Sequence, residues 1–505
     1  MSVLPLVRHE ASDTAWSPTS GLDVLRVGGH PMPLDAVGDL TARALGIRLV
    51  FDADDPDVVL VVDSVTAPAP TGADPRPLPR AGLSEAYEIR RDGPRLVIAG
   101  AGDEAHFRGL VTVATLVAAG RGVPQLSDAP RFAWRGLSLD VVRRWFPVAE
   151  VRAIIDLLAL HKLNVLHLHL TDAQAWRFAV PGYPALTPGD EHYSAADLDA
   201  LLAYARDRHV TLIPEIDLPG HVAPTVGPET GVTVASGPHP LIRYVEWDAE
   251  GVAPFVRAAF TELAIRFDAP HLHIGGDEAF GDPHESYSTF VAEAATIVRA
   301  LGRRVIGWQE TSRAGTLTPA DLGQLWIAER DRFDPEKARR DMPEAYHPFI
   351  PLLAEVFAES VGDPGRLGAA GVPVIVSSSD PLYLDRKPLE DSVDPAQTAL
   401  MERLGFPNYE RTRSTDVLSW DPLAQTDVAD AGITVAGVEA ALWCETVTSF
   451  DDAAALLLPR LAFVAQRAWG GDAPASAVTE AARSYTEPWT RLGFGNFYRT
   501  VEVFA

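Results

Sequence analysis

The chain has 505 residues, 47 % hydrophobic and 22 % charged, enough to bury a large core in more than one domain. Its 43 lysines and arginines stand against 69 acids, a formal net charge of −26, so there is no basic face to neutralise phosphates and nucleic acid is not an expected partner. One cysteine, Cys444, excludes an intramolecular disulfide and a zinc site of several thiolates.

The opening MSVLPLVRHEASDTAWSP lacks a basic stretch followed by an apolar one, and no apolar run approaches the ~20 residues needed to cross a bilayer. The expectation is a cytoplasmic protein with no membrane partner; the oligomeric state is open. Residues 1–132 are rich in proline and alanine, with short apolar pieces such as LRVGG, RLVFD and DVVLVVD. EAYEIRRDGPRLVIAG (Glu85 to Gly100) reads as a hairpin turning at Asp92-Gly93, and a helix is expected near Phe107 to Ala119. Together these predict a small α+β domain without a catalytic constellation.

From residue 133 to 505 short apolar runs alternate with helical stretches. Strands are expected at 136–140, 163–170, 210–216, 271–275, 304–308, 322–327, 373–378 and 433–438. In PVAEVRAIIDLLALHK the residues Val148, Val151, Ile154, Ile155 and Leu158 share one helical face. Eight strands alternating with helices predict an α/β fold, a (β/α)8 TIM barrel, with a doubly wound open sheet as the other arrangement. Polar, proline-containing insertions are expected near 328–370 and 386–430, after strands six and seven, positioned to close the cleft or reshape the side of the leaving group.

A barrel builds its site at the C-terminal ends of its strands. There the sequence places Asp140 and Arg143; Asp172, Gln174 and Trp176; Glu215, Asp217 and His221; Asp277 and Glu278; Trp308 and Glu310; Trp326; Tyr383 and Asp385; Trp443 and Glu445. Carboxylates accept hydrogen bonds from hydroxyls, and indole faces stack on the C–H faces of sugar rings. Four of the 11 tryptophans (Trp176, Trp308, Trp326, Trp443) fall in this set, which suggests a carbohydrate site. In HLHIGGDEAF, Gly275 and Gly276 are expected to let a ligand approach the backbone, and the adjacent Asp277 and Glu278 to diverge and take different tasks.

HIGGDE, the run from Trp134 to Arg177, LIPEIDLPGH (Leu212 to His221), YLD, ALWCE and PRLAFVAQRAW (Pro459 to Trp469) resemble, in this order, the β-N-acetylhexosaminidases of glycoside hydrolase family 20. The likeness covers about 85–505 with gaps at the two insertions. It implies an exo-acting enzyme that removes terminal non-reducing β-linked GlcNAc or GalNAc with retention of configuration. By position, Glu278 matches the general acid/base and Asp277 the residue that orients and stabilises the substrate's 2-acetamido group. Tyr383 matches a donor to the acetamido oxygen, and Trp308, Trp326 and Trp443 match the walls and platform around the sugar. Arg143, Asp385 and Glu445 match the residues holding hydroxyls of the non-reducing sugar, and Asp172 and His221 a pair supporting the acid/base.

Adjacent carboxylates do not span a sugar ring as the usual acid–nucleophile pair does. The resemblance implies that the acetamido oxygen is the nucleophile, forming an oxazolinium ion, so that Asp277 need only hold the acetamido N–H. Glu278 must then start protonated, and its ionised neighbour and burial are expected to raise its pKa. Departures from the family pattern include Arg144, where many members have histidine, and Ala173 and Ala175. No cofactor or metal is expected. Two other readings are a metal-dependent barrel hydrolase using His167, His169 and His273, and a non-catalytic sugar-binding homologue. The thiol of Cys444, between two rim residues, is expected to point away from the ligand.

Overall fold

The computed structural model describes residues 3–7, 9–10, 16–19, 21–29, 35–77, 84–237, 242–341 and 344–505. Parts of the N-terminal domain expected over 1–132, and a short piece of the insertion expected near 328–370, lie outside the described residues. Up to Asp128 the chain builds a seven-stranded mixed sheet. Its hairpin pairs Tyr87–Asp92 antiparallel with Arg95–Gly100, turning at Gly93-Pro94, and strands Val24–Gly29, Arg48–Val50 and Val58–Val62 run parallel on one side. Helix Asp103–Ala118 covers this sheet with an almost wholly buried sequence.

The barrel follows at once. Its strands, in chain order, are β1 (Trp134–Asp140), β2 (Val165–His169), β3 (Thr211–Glu215), β4 (His271–His273), β5 (Arg304–Trp308), β6 (Leu322–Leu325), β7 (Val374–Val376) and β8 (Val435–Leu442). Each pairs in parallel with the next and β8 closes on β1. All eight expected strands are present; β8 runs further than the sequence suggested, to Leu442, and β6 stops before Trp326. Both ends shift because strand termini are set by neighbours in the ladder, not by local apolar content. The strands are buried on both faces, so they read as continuous apolar runs. The helix α1 (Val148–Leu160) buries Val151, Ile154, Ile155 and Leu158 against the barrel, the face expected from periodicity.

The sheet is bolted to the N-terminal end of the barrel by buried charges. Lys162 Nζ lies 2.7 Å from Asp128, which also accepts from Tyr87 and from the Trp469 indole, and Arg135 lies 2.7 Å from Glu85. These pairs leave the opposite, C-terminal end of the barrel free. The segments after β6 and β7 are partly helical excursions, with α2 (Pro335–Asp341), α3 (Ile350–Ser360) and α4 (Pro395–Leu400), while Asp363–Ala369 packs back against β6.

Candidate active site

At the end of β1 the Asp140 carboxylate accepts the backbone N–H groups of Val142 and Arg143, and that of Cys444 after β8. This turn carries Arg143 over the barrel mouth. Its guanidinium reaches Asp172 Oδ2 at 2.7 Å and Glu445 Oε1 at 3.9 Å. Asp172 also meets His169 Nε2 at 2.9 Å and His221 Nδ1 at 3.0 Å. The far nitrogen of His221 then faces three acids: Glu278 at 3.6 Å, Asp277 at 3.8 Å and Asp217 at 3.9 Å. Residues from β1, β2, β3 and β4 thus converge on one imidazole.

The two glycines before Asp277 serve the protein rather than a ligand, contrary to the sequence expectation. A Cβ on Gly275 would sit 2.0 Å from Asp217 Oδ1, and one on Gly276 would sit 2.5 Å from Thr311. Both have positive φ, and Gly276 N–H donates to Asp217 Oδ1. The tight turn they allow swings Asp277 and Glu278 to the same cavity. Glu278 and His221 are themselves non-glycine residues at φ 46°, a conformation that costs on the order of 1–3 kcal/mol and is concentrated at functional sites.

Charge in this cluster is strongly organised. Burial alone would raise Asp172, but His221 and Arg143 outweigh it and hold the carboxyl well below its usual range. Burial alone would lower His221, but Asp172 and then Asp277 lift it to about 9, so it is an imidazolium at neutral pH. Asp277 is pushed well above its ordinary value by burial and by the facing Asp217, which rises for the same first reason. Both carboxyl groups face His221 Nε2, Asp217 at 3.9 Å and Asp277 at 3.8 Å. Glu278 is raised too, with burial as the main cause and His221 and Arg143 opposing it. Of the two causes expected, burial is the leading one, and the charge interaction between the neighbours falls on Asp277, which Glu278 helps to raise.

The cavity above this cluster has a volume of about 560 Å³, inside the range of ligand sites. Of the residues singled out from the sequence, Arg143, Asp172, His221, Asp277, Glu278, Trp326, Tyr383, Asp385, Trp443 and Glu445 line it together. Asp385 is 2 % exposed, and among the described residues neither of its oxygens, nor Asp277 Oδ1 or Arg143 Nε, makes a well-formed hydrogen bond. Buried polar groups left like this at a cavity wall call for a further partner, such as water or a ligand. Trp326 and Tyr383 lie parallel, 4° apart in plane with ring centroids at 6.3 Å, and Trp443 meets Tyr383 edge-on at 5.7 Å. Burial keeps the Tyr383 phenol protonated far above neutral pH, so it is a hydrogen-bond donor.

Two tryptophans do not reach the cavity. Trp308 is fully buried one layer below, its indole N–H bonded to Glu215 at 2.7 Å, and it backs Trp443 at 6.0 Å. As the last residue of β5 it faces the barrel interior, so it supports the pocket without lining it. Trp176 is in the core against Phe178 and Phe255, because the short antiparallel pairing of Thr171–Asp172 with Ala175–Trp176 turns the chain back from the rim. Cys444 is 1 % exposed with its thiol toward the Leu442 carbonyl, and burial raises its pKa well above the ordinary value, so it is no nucleophile.

Sequence reasoning left three residues without a role. His169, named above only for a metal-dependent reading, lines the cavity and hydrogen-bonds Asp172. Glu215 accepts from His169 at 2.6 Å and from Trp308, tying the acid/base side to the aromatic side. Asp217 is the partner of Asp277. The available signal was their inward alternation at strand ends: His167 and His169 on β2, Glu215 two residues before Asp217. His167, Glu215 and His273 are close enough to hold a cation. His167 sits between Glu439 (Nδ1, 2.9 Å) and Glu215 (Nε2, 3.2 Å), and His273 Nδ1 accepts the Gly275 N–H at 3.0 Å. That arrangement fits hydrogen-bonded core histidines.

A parallel barrel that gathers acids and indoles around one cavity at the C-terminal ends of its strands is built as a glycoside hydrolase. The comparisons specify which kind. The model of the glycosyl hydrolase family 20 catalytic domain matches residues 132–343 and 363–472, and the chain belongs to that family. It is 32 % identical over 486 residues to a β-N-acetylhexosaminidase of Cellulomonas fimi, covering 91 % of this chain and 87 % of the relative. A β-hexosaminidase of Porphyromonas gingivalis is 26 % identical over 438 residues, 76 % of this chain; the match spans about half (51 %) of that longer relative. The solved family 20 β-N-acetylhexosaminidase of Streptomyces coelicolor superposes with a TM-score of 0.75 at 26 % identity, covering 99 % of this chain and 98 % of that one.

Proposed function

We propose that the chain is an exo-acting β-N-acetylhexosaminidase that releases terminal non-reducing β-linked GlcNAc or GalNAc with retention, using the substrate's acetamido group as nucleophile. The observation that carries the mechanism is the placement of Asp277 beside Glu278, 3.8 Å from His221 Nε2, with its Oδ1 unpartnered among the described residues. A carboxylate nucleophile would have to lie across the sugar from the acid, whereas Asp277 adjoins Glu278 in the chain and is placed to accept an amide N–H.

The steps follow from the groups present. Arg143, Asp385 and Glu445 take hydroxyls of the terminal sugar, and the unpartnered oxygens of Asp385 gain partners. Trp443 lies under the ring, and Trp326 and Tyr383 enclose the acetamido group, whose oxygen accepts from the Tyr383 hydroxyl. Glu278 gives its proton to the glycosidic oxygen as the acetamido oxygen attacks the anomeric carbon and the bond to the leaving group breaks. The product is a cyclic oxazolinium ion, its positive charge beside Asp277. His221, held as an imidazolium by Asp172, stabilises the carboxylate left on Glu278. Glu278 then removes a proton from water, which opens the ring from the face the leaving group vacated. Two inversions give net retention. Proton NMR of the first sugar released tests this: the β anomer is expected, and initial release of the α anomer would exclude the mechanism.

A further inference from the structure

His169 has no part in these steps, yet it joins the acid/base side of the site to the aromatic side. It is the last residue of β2, where parallel pairing sets it beside Asp140 of β1 and Glu215 of β3. The side chain is buried and both ring nitrogens meet acids: Nδ1 lies 2.6 Å from Glu215 Oε2, and Nε2 lies 2.9 Å from Asp172 Oδ2. The ring also stands edge-on to Trp443, at 90° with centroids 5.2 Å apart. Glu215 is fixed in turn, because its other oxygen accepts the Trp308 indole N–H at 2.7 Å. Burial works against a charged imidazole, but Glu215 and then Asp172 outweigh it and raise His169 well above its ordinary value. Each nitrogen therefore carries a proton and donates it to the acid it faces.

Resting on the function proposed above, we infer that His169 is a positioning residue for the reaction: it clamps the Asp172 carboxylate so that His221 stays aimed at Glu278. The two oxygens of Asp172 are divided between tasks. Oδ1 takes His221 Nδ1 at 3.0 Å and the Ala173 N–H, while Oδ2 takes His169 Nε2 and, at 2.7 Å, Arg143. The last side-chain torsion of an aspartate is soft. Turning this carboxylate would withdraw Oδ1 from His221, whose far nitrogen lies 3.6 Å from Glu278. A donor held on Oδ2 resists that turn. The two donors there are not equivalent. Arg143 also reaches Glu445 at 3.9 Å and takes a hydroxyl of the sugar in the steps above, so its grip on Asp172 is shared with the substrate. His169 is anchored instead on Glu215 in the barrel interior, so its grip stays constant as sugar enters and leaves. The same ring braces the edge of Trp443, so the platform under the sugar and the acid/base side share one fixed support.

The test is a double-mutant cycle read on an aryl N-acetyl-β-glucosaminide. His169→Phe keeps a ring against Trp443 and removes both donors; kcat should fall about tenfold to a hundredfold while KM changes less than about twofold. His169→Gln, whose amide can still donate to Asp172, should recover to within about fivefold of wild type. In the Asp172→Ala background His169→Phe should cost less than about twofold more, because the group it acts through is already gone. Losses that multiply in the double variant would overturn the inference, since His169 would then act by another route. So would His169→Gln being as slow as His169→Phe, or His169→Phe being as fast as wild type. Should the Phe variants fail to fold, ¹⁵N NMR of the imidazoles in wild-type protein, assigned with His169→Gln, decides the question. A proton on His169 Nε2 at neutral pH is expected, and a bare Nε2 would have nothing to give Asp172 and would overturn the clamp. Wild-type protein inert on the aryl substrate would instead overturn the underlying assignment of the activity.

Discussion

Two sets of buried carboxylates sit within one barrel, and their partners differ. In the barrel interior Glu439 accepts from the Trp134 indole at 2.8 Å, from His167 at 2.9 Å and from Gln324 at 2.9 Å, and Glu215 is occupied at both oxygens. At the rim Asp385 is buried yet neither oxygen makes a well-formed hydrogen bond among the described residues, and Asp277 has one such oxygen. Desolvating a carboxylate is costly wherever it happens, so the saturated Glu439 and Glu215 are held by the fold while Asp385 and Asp277 at the cavity wall are left for a ligand to satisfy. The contrast separates structure from chemistry among residues of identical type, which sequence spacing alone does not.

The sharpest break in this contrast comes from the rim. Glu278→Gln and Asp277→Asn should each lower kcat on an aryl N-acetyl-β-glucosaminide by about 10²–10⁴-fold with the melting temperature nearly unchanged. Next in size is Asp385→Ala. It should lower kcat/KM by roughly tenfold to a hundredfold through lost hydroxyl contacts, while removing an unpaired buried carboxylate should leave stability equal or raise it. The interior should respond the other way round: Glu439→Ala strands the His167 and Trp134 donors and should cost roughly 3–5 kcal/mol in denaturant unfolding.

A smaller effect sharpens the electrostatic part. Asp172 is the largest influence raising His221 toward about 9 against burial. In Asp172→Asn the His221 pKa should fall, which NMR titration of the imidazole reads directly. The sign for function follows: Glu278 must be protonated for the first step, and loss of the nearby imidazolium, which lowers its pKa, outweighs loss of the smaller raising influence of Asp172 itself, so the alkaline limb of kcat/KM should move to higher pH as the plateau falls. The smallest effect is expected at the buried thiol, where Cys444→Ser should leave activity unchanged.

Much of this was legible in the sequence, for identifiable reasons. Strands buried on both faces leave unbroken apolar runs, so all eight barrel strands were found, and acids placed just past them marked the rim. What was missed turns on direction. Trp308 and Trp326 follow similar runs, but β6 ends at Leu325 and releases Trp326 to the cavity, while β5 extends through Trp308 and keeps it below. His169 and Glu215 look like core residues because they lie inside strands; only the parallel pairing of β2 with β3 sets them together, and the shared barrel interior joins them to Asp172 and Trp308. Gly275 and Gly276 signalled a close approach correctly, but the approaching groups are Asp217 and Thr311.

The measurement that tests the account most directly is turnover of an aryl N-acetyl-β-glucosaminide beside the matching aryl β-glucoside, which lacks only the acetamido group. The account predicts release of the aryl alcohol from the first and none from the second. Equal cleavage of both would contradict it, because the nucleophile would then have to be a carboxylate of the protein.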